Sequence, residues 1–279
     1  NWIATYEMTN NEDAGTVPFT ITFLDLTGNI GASSPHTSLL NDDDGNVVSF
    51  DKTQPVLTTL SITSDNTPVE FAAYARVSSV VTLSFAADRT LESSSIDVWI
   101  NGSQVTTSYD LGTNTYNAAY TLTDADTEGL VTFTIDFTSI TGYSGEQVTE
   151  TIDLSTVIFD KTPPEMNSLI YSSNNANLTR MAKEGDVITV EINTNENIQS
   201  PTITLATNPS GTPVAGGTEA IWSSNYTVPS LSDGVVALQV DFKDYAGNSG
   251  TRQVAPLSGD VVTYDGTSPA LTTVTLVSN

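Results

Sequence analysis

Three times along the chain a β-branched run ends in the pattern aromatic, Asp, any residue, Thr, any residue, Pro. The copies are Phe50-Asp51-Lys52-Thr53-Gln54-Pro55, Phe159-Asp160-Lys161-Thr162-Pro163-Pro164 and Tyr264-Asp265-Gly266-Thr267-Ser268-Pro269, with the aspartates 109 and 105 residues apart. An alternating apolar–polar run follows each copy, as at 57–62 and 271–276. Proline fixes φ and has no N–H to give a sheet, so one strand must end here and another begin beyond a short, stiff joint. A period of this length makes the chain a row of domain-sized beads. The seams set the expected boundaries. Residues 51–159 and 160–264 are complete repeats, 1–50 is the C-terminal half of another, and 265–279 is the first strand of a fourth.

Other stretches align between the seams. Trp2 and Tyr6, Tyr116 and Tyr120, and Trp222 and Tyr226 each place two aromatics four apart on one face of a strand. A turn ending in Gly15, Gly129 or Gly234 follows, and then the strongest strand signal: Val17-Pro-Phe-Thr-Ile-Thr-Phe23, Val131-Thr-Phe-Thr-Ile-Asp-Phe137 and Val236-Ala-Leu-Gln-Val-Asp-Phe242. Strict alternation of this kind puts one side in a core and the other in water. Hairpins are expected at Asp25-Leu-Thr-Gly-Asn29 and Asp244-Tyr-Ala-Gly-Asn248, where Gly and Asn accept the positive φ of a tight turn. Adding strands at 80–85, 96–100, 187–192 and 202–205 gives about seven short strands per repeat, the pattern of a two-sheet sandwich. No stretch has a helical period. The expected class is all-β: tandem Ig-like β-sandwiches joined end to end by short Pro-containing linkers.

Residues 1–50 cannot close a sandwich alone, and a lone strand at 265–279 would leave its edges unpaired. The expectation is that the chain is part of a longer array, with donation of strands between copies as the other option.

Charge narrows the partners. Eight Lys and Arg stand against 33 Asp and Glu, a net −25. A surface of that sign has nothing with which to neutralise phosphates, so nucleic acid is excluded. The acids do supply ligands for divalent cations. No window approaches the roughly 18 apolar residues of a membrane span. Cysteine is absent, whereas cell-surface Ig domains of eukaryotes usually carry an inter-sheet disulfide. Zero Cys with abundant Thr, Ser, Asn and Asp fits an exported microbial surface protein, so an extracellular, cell-surface location is expected.

The Asp-x-Thr-x-Pro joint, the strand Gly185-Asp-Val-Ile-Thr-Val190, the loop Asn195-Glu-Asn-Ile-Gln-Ser-Pro201 and the hairpin Asp244-x-x-Gly-Asn248 together resemble bacterial Ig-like tandem repeats. Such repeats build the stalks of large repetitive adhesins and other surface proteins. The resemblance covers the whole chain and implies a structural, non-enzymatic segment: adhesin stalk or filament subunit, with neighbouring repeats or copies of the same protein as partners. It also implies calcium at inter-domain joints. The middle repeat departs from the pattern, reading Ser139-Ile-Thr-Gly142-Tyr143 where the hairpin would carry Asp and Asn.

Calcium needs six to eight hard oxygen ligands converging at a rigid place. At the joint at 160 the candidates are Asp160, Glu196 and Asp244; at the joint at 51 they are Asp51, Asp88 and Asp25. The run Asp42-Asp43-Asp44-Gly45-Asn46 has the oxygen density of a calcium loop but lacks the terminal Glu of an EF-hand. The competing reading of each joint aspartate is an Asx turn that caps its own backbone.

Catalysis is poorly supplied. The single histidine, His36, sits in a Ser/Pro-rich loop with nothing beside it in the sequence to orient it as part of a triad or a zinc site. The alternative function is a carbohydrate- or ligand-binding module. Among Trp2, Trp99 and Trp222, Trp99 is the candidate platform, the other two being expected to pack on a sheet face. Sequons at Asn101, Asn177 and Asn225 matter in a host that glycosylates.

Overall fold

The computed structural model describes residues 3–9, 11–32, 48–209 and 211–278. Trp2, His36 and the acidic run 42–46 lie outside the described residues. Among those described, the regular structure is strand apart from two three-residue 3-10 helices, Val69–Phe71 and Ser93–Ser95. The chain divides into two compact units, one made of 1–61, 84–118 and 132–154, the other of 62–83, 119–131 and 155–279. Residues on both sides of the joint at 160 therefore belong to one unit.

The fold is an Ig-like all-β arrangement in which each full repeat makes the same sheets. In 51–159 a four-stranded sheet has the order Thr107–Asp110, Thr115–Thr121, Val80–Ala87, Leu57–Ser64. A three-stranded sheet has the order Phe133–Asp136, Asp97–Ile100, Ser103–Val105. In 160–264 the counterparts are Val214–Ala215, Ile221–Thr227, Val187–Thr194, Met166–Ser173, and Leu238–Asp241, Thr202–Leu205, Asn208–Pro209. The alternation expected from sequence is the alternation of burial. Val131, Phe133, Ile135 and Phe137 are buried, as are Val236, Leu238, Val240 and Phe242, and Ile188, Val190 and Ile192 point into the same cluster as Leu169, Tyr171 and Trp222. Burying each such side chain contributes about 1.5–3 kcal/mol.

Two expectations fail for one reason. Residues 3–9 and 271–276 form no strand, and Ile21, Phe23, Leu271, Val274 and Leu276 are exposed although their counterparts in the full repeats are core. Leu271, Val274 and Leu276 correspond to Leu57, Leu60 and Ile62, whose strand pairs with Val80–Ala87. Among the described residues no counterpart of that strand lies in 1–50 or 265–278, so 3–9 and 271–276 have no pairing edge, and Phe23, although its strand Thr22–Leu24 pairs with Ile30–Ala32, has no opposing sheet to pack on.

A spacing not singled out in the sequence also recurs. The phenylalanine that ends each of the alternating runs 17–23, 131–137 and 236–242 is followed eight residues later by a glycine: Phe23 and Gly31, Phe137 and Gly145, Phe242 and Gly250. The ring lies over the glycine so closely that an added Cβ would stand 2.3, 2.3 and 2.2 Å from it. A corner of Tyr, acid and Lys recurs as well. Tyr120 donates to Asp126, which accepts from Thr123, while the Lys161 ammonium donates to the Asp124 and Asp126 carbonyls. In the first half-repeat Tyr6, Thr9, Glu12 and Lys52 repeat these bonds. In the third copy the loop is one residue shorter and carries Leu231 and Ser232, and the Tyr226 hydroxyl is buried without a partner.

Phe137→Ala should therefore cost about 3–5 kcal/mol in urea unfolding, whereas Phe23→Ala should stay within about 0.5 kcal/mol. Tyr226→Phe removes an unsatisfied buried hydroxyl and should be neutral or stabilising, while Tyr120→Phe should cost about 1 kcal/mol.

Candidate metal centre

The seams at 160 and 265 begin where the last strand of a repeat inserts beside an early one. Ile158–Phe159 pairs parallel with Tyr74–Ala75 and antiparallel with Gly129–Leu130; Thr263–Tyr264 does the same with Met181–Ala182 and Gly234–Val235. The seam aromatics Phe159 and Tyr264 are thereby buried. The next residue extends the ladder: Asp160 N–H donates to Ala75 O at 2.8 Å, and Asp265 N–H to Ala182 O at 2.9 Å. The carboxylate then turns the chain. Asp51, Asp160 and Asp265 each accept the backbone N–H two residues on, at 3.0, 2.9 and 3.0 Å from Thr53, Thr162 and Thr267. These are Asx turns, and they explain why Asp and Thr recur two apart. A second acid clamps two of the turns. Glu128 accepts from Lys161 N–H and the Thr162 hydroxyl, and Asp233 from Gly266 N–H and the Thr267 hydroxyl.

Two loops meet the joint at 160. The first is the hairpin at 244–248, in which Asp244 Oδ1 accepts Gly247 N–H and Asn248 N–H at 2.6 and 2.8 Å, and Oδ2 accepts Asn248 Nδ2 at 2.8 Å. Gly247 takes a φ of +93°, which a side chain would disfavour. The Asn248 amide also donates to Asp160 O at 2.9 Å, tying hairpin to joint. On its other side the hairpin is held by Tyr245, whose ring lies 4.8 Å from that of Phe71 and 5.3 Å from that of Tyr74, and whose carbonyl accepts from Asn66 Nδ2 at 2.7 Å. The second loop is 195–201. Asn195 accepts Glu165 N–H, buried Ile198 bridges to Asp244, and Gln199 donates to Asp244 O. Glu196 is carried between these anchors.

The result is that Asp160, Glu196 and Asp244 bring carboxylate oxygens within 4.8 Å of one another. Asp244 is almost fully buried. Burial, and then the charges of Asp160, Asp244 and Glu128, push the Glu196 carboxyl up from its ordinary 4.5 to about 7. Burial also raises Asp244, and Asp160, which Glu128 pushes further in the same direction. Like charges this close disfavour one another's ionisation unless a cation joins them. All the donors are hard oxygens, which suits calcium, magnesium or manganese rather than softer metals. Oxygens that already accept an N–H keep a second lone pair for a ligand.

The other candidate set is not brought together. Among the described residues the cluster at Asp160 is the one acidic group of this kind. At the joint at 51, Asp51 and Asp88 do approach, but the Arg89 guanidinium lies between them, 2.9 Å from Asp51 Oδ2 and 2.8 Å from Asp88 Oδ2. Asp25 joins no such group; it accepts from Thr27 and Asn29 in its own hairpin, bonds that hold its carboxyl well below the usual carboxylate range. In the middle repeat Ser139 takes the hairpin aspartate's place and accepts from Tyr143 N–H.

Trp99 is 39% exposed, with its indole N–H donating to Asp97, while Trp222 is buried and donates to Glu219 O. Asn177 and Asn225 are exposed; Asn101, at a φ of +49°, accepts Thr132 N–H. No helix among the described residues is long and apolar enough to cross a membrane.

No family model matches the chain, and no curated protein matches it. Among solved structures it is similar to the N-terminal Ig1-2 module of the Drosophila receptor protein tyrosine phosphatase DLAR, at 9% identity over 76% of this chain and all of that one, with a TM-score of 0.26. The Ig-like reading of the fold rests on the strand pairing itself.

Because the folded Glu196 binds its proton more tightly than the unfolded chain does, stability present below pH 4.5 is lost as pH rises toward 7. In buffer free of divalent ions the melting temperature should fall across that window. Glu196→Gln should flatten the curve, and a pH profile unchanged by that substitution would refute the assignment.

Proposed function

We propose that this chain is a non-enzymatic structural segment of an extracellular repetitive surface protein, acting as stalk or filament material, and that calcium joins Asp160, Glu196 and Asp244 at the joint between its two full repeats. The observation that carries the reading is the convergence itself. Three carboxylates from three separate segments meet on a joint that is already hydrogen-bonded to both neighbours. A cation there would remove mutual repulsion and lock the seam, the hairpin and the loop together. The mechanical role follows from the joint design. Proline, the Asx turn and the Tyr245 contact leave few free torsions between repeats. The acidic surface keeps such a segment soluble.

The rival reading, a glycan-binding module, draws on the exposed face of Trp99. Binding on a glycan array that is lost in Trp99→Ala would favour it over the stalk.

An ion that binds the folded chain at a hundred times its Kd adds about 2.7 kcal/mol. Calcium added to chelator-treated protein should therefore raise the melting temperature by several degrees, and Asp160→Asn with Glu196→Gln should abolish the gain. A melting curve indifferent to calcium and chelator would remove the ion from the account.

A further inference from the structure

The two joints are built on one plan and differ in charge. Asp51 and Asp160 make the same Asx turn. Asp88 and Asn195 fill one position, for each accepts the N–H of the residue five beyond its joint aspartate, Val56 at 2.9 Å and Glu165 at 2.8 Å. Leu91 and Ile198, both buried, bridge to Ser139 and Asp244 respectively. Arg89 and Glu196, the residues that directly follow Asp88 and Asn195, therefore occupy equivalent places, as do Ser139 and Asp244.

At the joint at 51 that place holds a cation of the chain's own. The guanidinium reaches Asp51 at 2.9 Å, binds Asp88 through two nitrogens at 3.1 and 2.8 Å, and donates to Thr53 O at 3.1 Å. At the joint at 160 the same place holds a carboxylate, and the hydroxyl of Ser139 has become the carboxylate of Asp244. The nearest lysine in sequence, Lys161, directs its ammonium away to the Asp124 and Asp126 carbonyls. Both substitutions run in one direction: where the chain's own cation is withdrawn, carboxylates take its place.

We infer that Arg89 is a built-in replacement for the divalent cation, so that the joint at 51 is clamped by a guanidinium and is indifferent to metal, while the joint at 160, already hydrogen-bonded on both sides, gains its clamp only when an ion is supplied. A planar fork that pairs bidentately with one carboxylate and reaches another does for two acids what an ion does for three. The chain then carries one permanent and one ion-conditional joint in series, and the residue at 89 or 196 decides which kind each is. The metal-dependent half of this rests on the calcium reading given above; the arginine half stands on its own ion pairs.

The test is hydrogen exchange on the full chain with calcium and with chelator, read at Thr53 and Val56 for one joint and at Thr162 and Glu165 for the other. In the unmodified protein, chelator should speed exchange at Thr162 and Glu165 by about tenfold or more and leave Thr53 and Val56 unchanged. Arg89→Ala should speed exchange at Thr53 and Val56 alike in both buffers. Glu196→Arg should slow Thr162 and Glu165 in chelator to the rate that calcium gives the unmodified protein. In calorimetry, Arg89→Glu with Ser139→Asp should take up an additional equivalent of calcium. If Arg89→Ala leaves Thr53 and Val56 as protected as before, or if those amides respond to chelator in the unmodified chain, the replacement role is overturned. If instead Thr162 and Glu165 ignore chelator while Arg89→Ala still opens its own joint, the calcium reading falls and the arginine clamp survives. Should the double variant misfold, Glu196→Arg decides alone.

Discussion

The joint aspartate bonds in two directions at once, and the rest of the arrangement follows from that. Its N–H completes the ladder of the sandwich behind it, as Asp160 does with Ala75, while its Oδ1 starts the turn into the sandwich ahead. A residue committed on both sides cannot act as a free swivel. The proline beyond the turn removes another torsion, and the aromatic before it is buried. Once the seam is held this way, loops from the following repeat have a fixed object to meet, and the carboxylates at 160, 196 and 244 can converge rather than wander.

Much of this was legible in the chain. Alternation at 131–137 and 236–242 gave the faces because burial follows the pleat and little else competes with it. The three seams gave the joints because Asp-x-Thr is itself the hydrogen bond that makes the turn. The grouping of Asp160 with Glu196 and Asp244 was readable for a similar reason, since each acid lies in a loop anchored by residues close to it in sequence. The set at Asp51 was misread because the spacing of acids does not reveal a basic residue that answers them. Arg89 adjoins Asp88 in sequence, yet only the fold brings it to Asp51 as well. The glycines at 31, 145 and 250 were missed because their role is the absence of a side chain beneath a ring eight residues away. The unpaired segments at 3–9 and 271–276 show the limit of periodicity: a strand pattern states which face is apolar, and a strand forms only where an edge is offered.

Variation among the repeats is concerted rather than scattered. Where the third copy has Leu231 and Ser232 in a shorter loop, Gly266 stands where the second has Lys161, and the Tyr226 hydroxyl is left unpaired. Tyrosine, acid and lysine therefore behave as one device in which the lysine and acid are lost together. The clamp that remains, Asp233 on Gly266 and Thr267, needs neither, because it binds the turn's own backbone and hydroxyl.

The same logic governs the joints. A surface ion pair contributes little, about 0–1 kcal/mol, because water and salt screen it. The joint at 51 escapes part of that discount, since its guanidinium is planar, bidentate to Asp88 and bonded to a backbone carbonyl as well. The joint at 160 carries a buried Asp244, whose carboxylate is supported by Gly247 and Asn248 and opposed by burial and by Asp160 beside it. Among the described residues no base pairs with these three acids, so on the calcium reading proposed above an ion from solution would supply there the charge that Arg89 supplies at the joint at 51.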